Sequence, residues 1–95
     1  MSNVMGGIVV SPAVNMNAEK MSDEQRRIFD RAFAELIRAQ FFPLVYVSSQ
    51  VVSGVLHTYI ATRRVVYPNA PTMLVKVVIL QNPQNEASIH LIEEI

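Results

Sequence analysis

The sequence predicts an α+β domain in which one long α-helix is wrapped by an antiparallel β-sheet of four to five strands. Apolar residues recur at helical spacing within residues 23–40. From residue 44 onward Val, Ile, Tyr and Thr are frequent, and turn-forming residues interrupt them at regular intervals, which is typical of consecutive antiparallel strands. A helix followed by such a meander can bury its apolar side against the sheet.

Length and composition indicate a single domain over residues 1–95. The chain has 95 residues, of which 51% are hydrophobic and 17% are charged, so it can form one modest core. Lys plus Arg and Asp plus Glu number 8 each, which gives no electrostatic reason to expect nucleic acid or membrane as a partner. The chain has no cysteine and therefore neither disulfides nor thiolate metal sites. Residues 1–10 do not resemble a signal peptide, so we expect a cytoplasmic protein.

The first elements are an arm and the helix. Residues 1–17 carry no charge and are predicted to form a flexible N-terminal arm. The helix is predicted over residues 23–40, because Ser22 and Gln25 have capping-box spacing and Pro43 follows the apolar pattern. Its predicted apolar side consists of Ile28, Phe29, Ala32, Phe33, Leu36 and Ile37.

The strands are predicted over residues 44–51, 55–66, 73–80 and 87–95, within an antiparallel region that spans residues 44–95. Turn-forming residues 67–71 and 81–85 separate the later strands. His57 and His90 lie among strand residues, where we expect them to face solvent or to be hydrogen-bonded rather than to act as ligands or bases. No nucleophile, cofactor or phosphate-loop motif accompanies them, so the sequence does not predict an enzyme.

A five-residue segment between the first two strands stands out. It reads Gln50-Val51-Val52-Ser53-Gly54 and is predicted to form a hairpin tip, where Gly54 can adopt a positive φ. Two adjacent valines would then lie near the apex of the hairpin. At such a position the fold of a monomer is not stabilised by burying them. An ordinary turn is the alternative interpretation of this segment.

Three features together resemble the cystatin family, and most closely its stefin branch. Gln50, Val52 and Gly54 occupy the fixed positions of the Gln-x-Val-x-Gly motif of cystatins, and Gly6-Gly7 precedes the helix as the glycine-bearing arm does in that family. Residues 80–86, Leu-Gln-Asn-Pro-Gln-Asn-Glu, are similar to the second loop of stefins. One position departs from the stefin pattern, because Asn82 rather than leucine precedes Pro83.

The resemblance implies a cystatin-like fold and reversible, tight-binding inhibition of papain-like, cathepsin-type cysteine proteases. In that family the arm and two hairpin loops form an apolar wedge that fills the active-site cleft, without a catalytic residue, a cofactor or a metal ion. Carried over to this sequence, the protease-contacting residues would be Val4, Met5, Gly6, Gly7, Gln50, Val51, Val52, Ser53, Gly54, Asn82 and Pro83.

Other functions stay open at this point. The altered second loop favours a non-inhibitory cystatin-fold interaction module or a self-associating scaffold. We expect a monomer that can form a domain-swapped dimer, because a straightened tip would join its two strands into one and let two chains exchange halves. A small enzyme or a ligand carrier is a third alternative, and it would need a lined pocket.

Overall fold

The computed structural model describes residues 8–10, 21–36 and 39–95. Within these residues it has one helix, α1 (Asp23–Ala32), and five strands, namely β1 (Ile8–Val10), β2 (Ala39–Val52), β3 (Gly54–Val65), β4 (Met73–Gln81) and β5 (Ala87–Glu94). The strands form one antiparallel sheet in chain order, and α1 packs on it. The predicted α+β class is confirmed, and the last three strands lie within two residues of their predicted bounds.

The start of α1 agrees with the capping-box prediction. The Ser22 hydroxyl accepts a hydrogen bond from the Gln25 N–H at 3.1 Å, and the Gln25 side chain accepts one from the Ser22 N–H at 2.9 Å. Asp23 and Glu24 place negative charge in the first turn, where the helix dipole favours it. These contacts define the first residue of the helix from local sequence alone.

The end of α1 differs from the prediction: the helix stops at Ala32 instead of continuing to about residue 40. Phe33 leaves the helical conformation, and its ring stacks on that of Phe41 with 4.5 Å between the centroids. This contact links the end of the helix to the sheet. Leu36 is 40% exposed and lies beyond α1, whereas Ile37 falls outside the described residues.

The first long strand also corrects the prediction, since β2 begins at Ala39 and includes Pro43. Among the described residues only β3 pairs with this half of β2, because β1 reaches no farther than Ser48. A proline that lacks an N–H is tolerated on the unpaired side of a strand and at a bulge, and a register shift lies between Pro43 and Val45. Pro43 therefore belongs to the strand and is not the stop signal of the helix.

The arm contains a strand that the prediction of a flexible segment omitted. Strand β1 pairs with β2, with Ile8 opposite Gln50 and Val10 opposite Ser48. The remaining parts of the predicted arm, residues 1–7 and 11–17, lie outside the described residues.

The core lies between α1 and one face of the sheet, and aromatic rings form its centre. The Phe29 ring contacts those of Phe33 and Tyr59 at centroid distances of 4.6 and 5.1 Å, and Tyr59 in turn contacts Tyr46 at 5.1 Å. The Tyr59 hydroxyl donates a hydrogen bond to the Gln25 carbonyl oxygen at 2.6 Å. The buried residues of this cluster are Ile28, Phe29, Tyr46, Tyr59, Ala61, Val75, Val77 and Ile79.

Candidate functional site

Strand pairing brings the predicted loop residues together at one end of the sheet. Val52 pairs with Gly54 to close the β2–β3 hairpin, and Val55 pairs with Gln81, so the β4–β5 loop lies beside that hairpin. Ile8 lies opposite Gln50, and β1 therefore starts at the same end. We call residues 50–54 and 81–86 the tip end.

The β2–β3 hairpin holds two valines in solvent. Val51 is 55% exposed and Val52 is 43% exposed, although both belong to a paired strand. Ser53 at the apex is also exposed, whereas Gln50 is half-buried one step below the valines. The hairpin is thus an ordered projection whose apolar side chains contact water.

Gly54 joins the two loops of the tip end. Its φ is +123°, a conformation that residues with a Cβ rarely adopt. A Cβ at this position would lie 2.5 Å from the Gln81 carbonyl oxygen and 3.2 Å from the Asn82 Cα. A glycine is therefore required both by the turn and by the close approach of the neighbouring backbone.

Asn82 organises the second loop through its side chain. Its Oδ1 accepts hydrogen bonds from the backbone N–H groups of Gln84 and Glu86 at 3.0 and 2.8 Å, and its Nδ2 donates to the Glu86 carboxylate at 2.8 Å. The Asn82 backbone pairs with Glu86 and Asn85, which adopts a positive φ of 67°. Pro83 is exposed, while Asn82 is half-buried. In this loop Asn82 fixes the conformation and Pro83 is presented to solvent.

A buried polar group supports the tip end from below. The Tyr46 hydroxyl and His57 Nδ1 are 2.6 Å apart, and His57 Nε2 lies 2.9 Å from Oε1 of Gln81. When His57 donates through Nε2–H to Gln81, its Nδ1 atom accepts a hydrogen bond from the Tyr46 hydroxyl. His57 is 8% exposed, and burial raises the pKa of Tyr46. Of the two alternatives that the sequence left for His57, facing solvent or being hydrogen-bonded, the structure has the second.

Sequence reasoning did not anticipate that His57 links three strands. The sequence did contain a pattern that could have revealed this position. His57, Tyr59 and Ala61 alternate along β3, and their side chains therefore all lie on the helix-facing side of the sheet. The pairing of β4 with β3 then brings Gln81 within reach.

Four predicted contact residues, Val4, Met5, Gly6 and Gly7, fall outside the described residues. The structure brings together the other seven, from Gln50 to Gly54 and Asn82 with Pro83. Across residues 8–10, 21–36 and 39–95, no cluster of three or more histidine or carboxylate side chains is arranged to hold a metal ion. The described helix is too short to cross a membrane.

Comparison of the chain with protein-family models, with curated proteins and with solved structures gave no match. The resemblance to cystatins therefore rests on the sequence motifs, together with the position of two of them at the tip end.

Proposed function

We propose that the protein is a reversible, tight-binding inhibitor of papain-like cysteine proteases, and that the tip end enters the active-site cleft. The observation that supports this most is the exposure of Val51 and Val52 on an ordered hairpin beside the second loop. In the same proposal the fold is cystatin-like, since β1, α1 and the meander β2 to β5 follow in the order that the family has.

Rigidity makes the exposed valines suitable for binding. Val51 pairs with Val55 across the hairpin, and Gly54 is packed against the Gln81 backbone. A surface that is already ordered loses little conformational entropy when it binds, so more of its apolar contact energy appears as affinity. Burial of one valine side chain contributes roughly 1.5–3 kcal/mol.

Occlusion requires no chemistry from the inhibitor. The exposed apolar residues of the tip end are Val51, Val52 and Pro83. Glu86 is the one charged residue of the tip end, and its carboxylate accepts a hydrogen bond from the Asn82 side chain. Solvent therefore meets mainly uncharged side chains at the two loops. These side chains suit a cleft that is mostly apolar. Inhibition would follow from exclusion of the substrate, because a hairpin need not present a peptide bond to the catalytic cysteine in attack geometry. Binding would then be reversible and the inhibitor would stay intact.

The test is a titration of papain, and of a cathepsin L-type enzyme, with the purified protein while hydrolysis of a fluorogenic peptide is followed. We expect stoichiometric loss of activity that returns on dilution. Val52→Asp should weaken inhibition by about 10- to 150-fold, the equivalent of losing one buried valine. Val66→Asp is the matched control, because Val66 is 61% exposed and follows β3 at the opposite end of the sheet.

Two outcomes would contradict the proposal. Full protease activity at a large molar excess of folded monomer would favour the non-inhibitory interaction module. Equal weakening by Val52→Asp and Val66→Asp would show that inhibition does not use the tip end.

A further inference from the structure

The sheet has a second face, opposite α1, which we call the bare face. Val75, Val77 and Ile79 of β4 belong to the core, so the alternating residues of that strand, Leu74, Lys76, Val78 and Leu80, lie on the bare face. On β5 the side chain of Ile92 packs on the core, and Leu91 and Glu93 therefore lie on the bare face. None of the elements that the structure describes covers this side of β4 and β5.

The bare face carries three large apolar side chains that are exposed to water. Leu74 is 50% exposed, Leu91 is 39% exposed, and Ile95, which follows β5, is 71% exposed. Leu74 and Ile95 are neighbours, whereas the Lys76–Glu93 row separates them from Leu91. Exposed apolar side chains that are neighbours mark interaction surfaces more often than isolated ones do. Lys76 and Glu93 are the charged residues that β4 and β5 contribute here.

Strand register arranges these residues in rows across β4 and β5. Val78 pairs with Leu91, and Lys76 pairs with Glu93. The Ile95 N–H donates to the Leu74 carbonyl oxygen at 3.2 Å, which continues the series by one row. These three rows each contain two apolar residues or two residues of opposite charge, whereas the row nearest the tip end pairs Leu80 with Ser88.

We propose that a second copy of this chain docks on the bare face, with a two-fold axis that runs along the strands between β4 and β5. This rotation places β4 of one copy over β5 of the other and keeps each row in place. Lys76 then meets Glu93 of the second copy and Leu74 meets Ile95 of the second copy, whereas Val78, which is 7% exposed, adds little to the contact with Leu91 of the second copy. The two-fold axis thus places opposite charges together and apolar residues together, as an isologous interface requires.

The charged row is available for such pairing. Among the residues that the structure describes, the ion pairs within 4.0 Å involve neither Lys76 nor Glu93, although the two are direct register partners. Two sheets packed face to face lie about 10 Å apart, which allows long charged side chains to meet across the interface. Their pairing would occur next to apolar contacts that exclude water, where ion pairs are screened less than on an open surface.

The interface covers two strands and is small, so the dimer is expected to be weak. Interfaces of less than about 1,200 Å² in total are typical of transient complexes. The tip end lies at the end of the sheet and stays accessible in this arrangement. This dimer therefore differs from a domain-swapped dimer, in which the tip would be lost, and it does not depend on the proposed inhibition.

Charge reversal with a mixing step tests the proposal. Sedimentation equilibrium over increasing concentration, up to about 1 mM, should show that the wild-type protein dimerises. Lys76→Glu and Glu93→Lys should each raise the dissociation constant of the dimer at least about tenfold, because each variant replaces attraction between residues 76 and 93 of the two copies by repulsion. An equimolar mixture of the two variants should dimerise as tightly as the wild type, because opposite charges then meet only between copies. Arg31→Glu on α1 is the matched charge-reversal control and should have no effect.

The mixture separates contacts between copies from contacts within one chain, since each variant keeps its own like-charged row. A wild-type protein that is monomeric throughout the concentration range would overturn the proposal. Dimers that form equally well in all variants, or a mixture that stays monomeric, would also overturn it.

Discussion

The helix-covered middle of the sheet and the tip end are stabilised by different interactions. In the middle, the rings of Phe29, Tyr46 and Tyr59 pack beneath α1. Near the tip end, side-chain hydrogen bonds hold the structure. His57 forms them between β2, β3 and β4, and Asn82 forms them within the second loop. Apolar packing provides most of the stability of a domain, whereas hydrogen bonds fix positions. The comparison implies that truncation of a core ring should cost the most stability, and that substitutions at the tip end should in addition displace the loops.

The largest expected effect is that of Phe29→Ala in the middle. Phe29 is 1% exposed and contacts two other rings, so its truncation leaves a cavity. We expect a loss of about 3–5 kcal/mol in the free energy of unfolding, measured by urea denaturation. The control is Phe42→Ala, since Phe42 is 51% exposed and its loss should cost about 1 kcal/mol or less. Equal losses for the two variants would contradict the assignment of the core.

Gly54→Ala should have the next largest effect and should act at the tip end. A Cβ would meet the Gln81 carbonyl oxygen, and the φ of +123° is strained for alanine. We expect a loss of about 2–4 kcal/mol in the free energy of unfolding from strain and overlap together. The amide chemical shifts of residues 81–86 should change as well, because the loops must separate. Ser53→Ala at the exposed apex is the control, and similar shifts for it would refute the packing of Gly54 on the second loop.

Tyr46→Phe tests the polar group beneath the tip end. It leaves Nδ1 of the buried His57 without the hydroxyl at 2.6 Å, which should reduce the free energy of unfolding by about 1–2 kcal/mol. Tyr67→Phe is the matched control, because Tyr67 is 59% exposed. If both variants unfold at the same urea concentration, the hydrogen bond to His57 does not stabilise the fold.

Tyr59 predicts how stability depends on alkaline pH. Burial raises the pKa of Tyr59, and the neighbouring Tyr46, Asp30 and Glu24 raise it further. Above the ordinary tyrosine pKa of about 10, the unfolded chain releases a proton that the folded chain retains. The unfolded state then binds fewer protons, so the free energy of unfolding falls as pH rises.

Tyr59→Phe should therefore have the smallest effect at neutral pH and a larger one in alkali. We expect a loss of about 0.5–1.5 kcal/mol at neutral pH, from the hydrogen bond to the Gln25 carbonyl oxygen. Above pH about 10 the free energy of unfolding should fall with pH less steeply for the variant than for the wild type. The two slopes should differ by about 1.4 kcal/mol per pH unit, the contribution of one proton. Parallel stability profiles for the two proteins, from urea denaturation at a series of pH values, would show that Tyr59 does not titrate differently in the folded state.

The same comparison shows which parts of the structure the sequence could predict. The start of α1 depends on Ser22 and Gln25, which are close in sequence, and it was predicted correctly. Strands β3, β4 and β5 follow from residues that favour strands between local turn signals, and they were predicted to within two residues, whereas β1 and the first part of β2 were not. The end of α1 was not, because the contact between Phe33 and Phe41 connects two elements and outweighs the helical spacing of Leu36. Pro43 was misplaced for a related reason, since its tolerance in β2 depends on the strand arrangement: within the part of the chain that the structure describes, only β3 pairs with that half of β2.

At the site, the loops could be predicted but their mutual contacts could not. Gln50, Val52 and Gly54 form a motif within five residues, and the turn around Pro83 is predicted by the turn-forming residues 81–85. The contact of Gly54 with Gln81 and the bond from His57 to Gln81 both arise from the pairing of β3 with β4. Such pairings are decided by the whole sheet rather than by any short segment.

The most direct test of the central claim is an amide chemical-shift map of the protein with papain whose catalytic cysteine is blocked. We predict that the perturbed amides are those of residues 50–54, Asn82 and residues 84–86, together with Ile8 at the start of β1. Perturbations confined to the opposite end of the sheet, at residues 66–72, or to the bare face, would contradict the account.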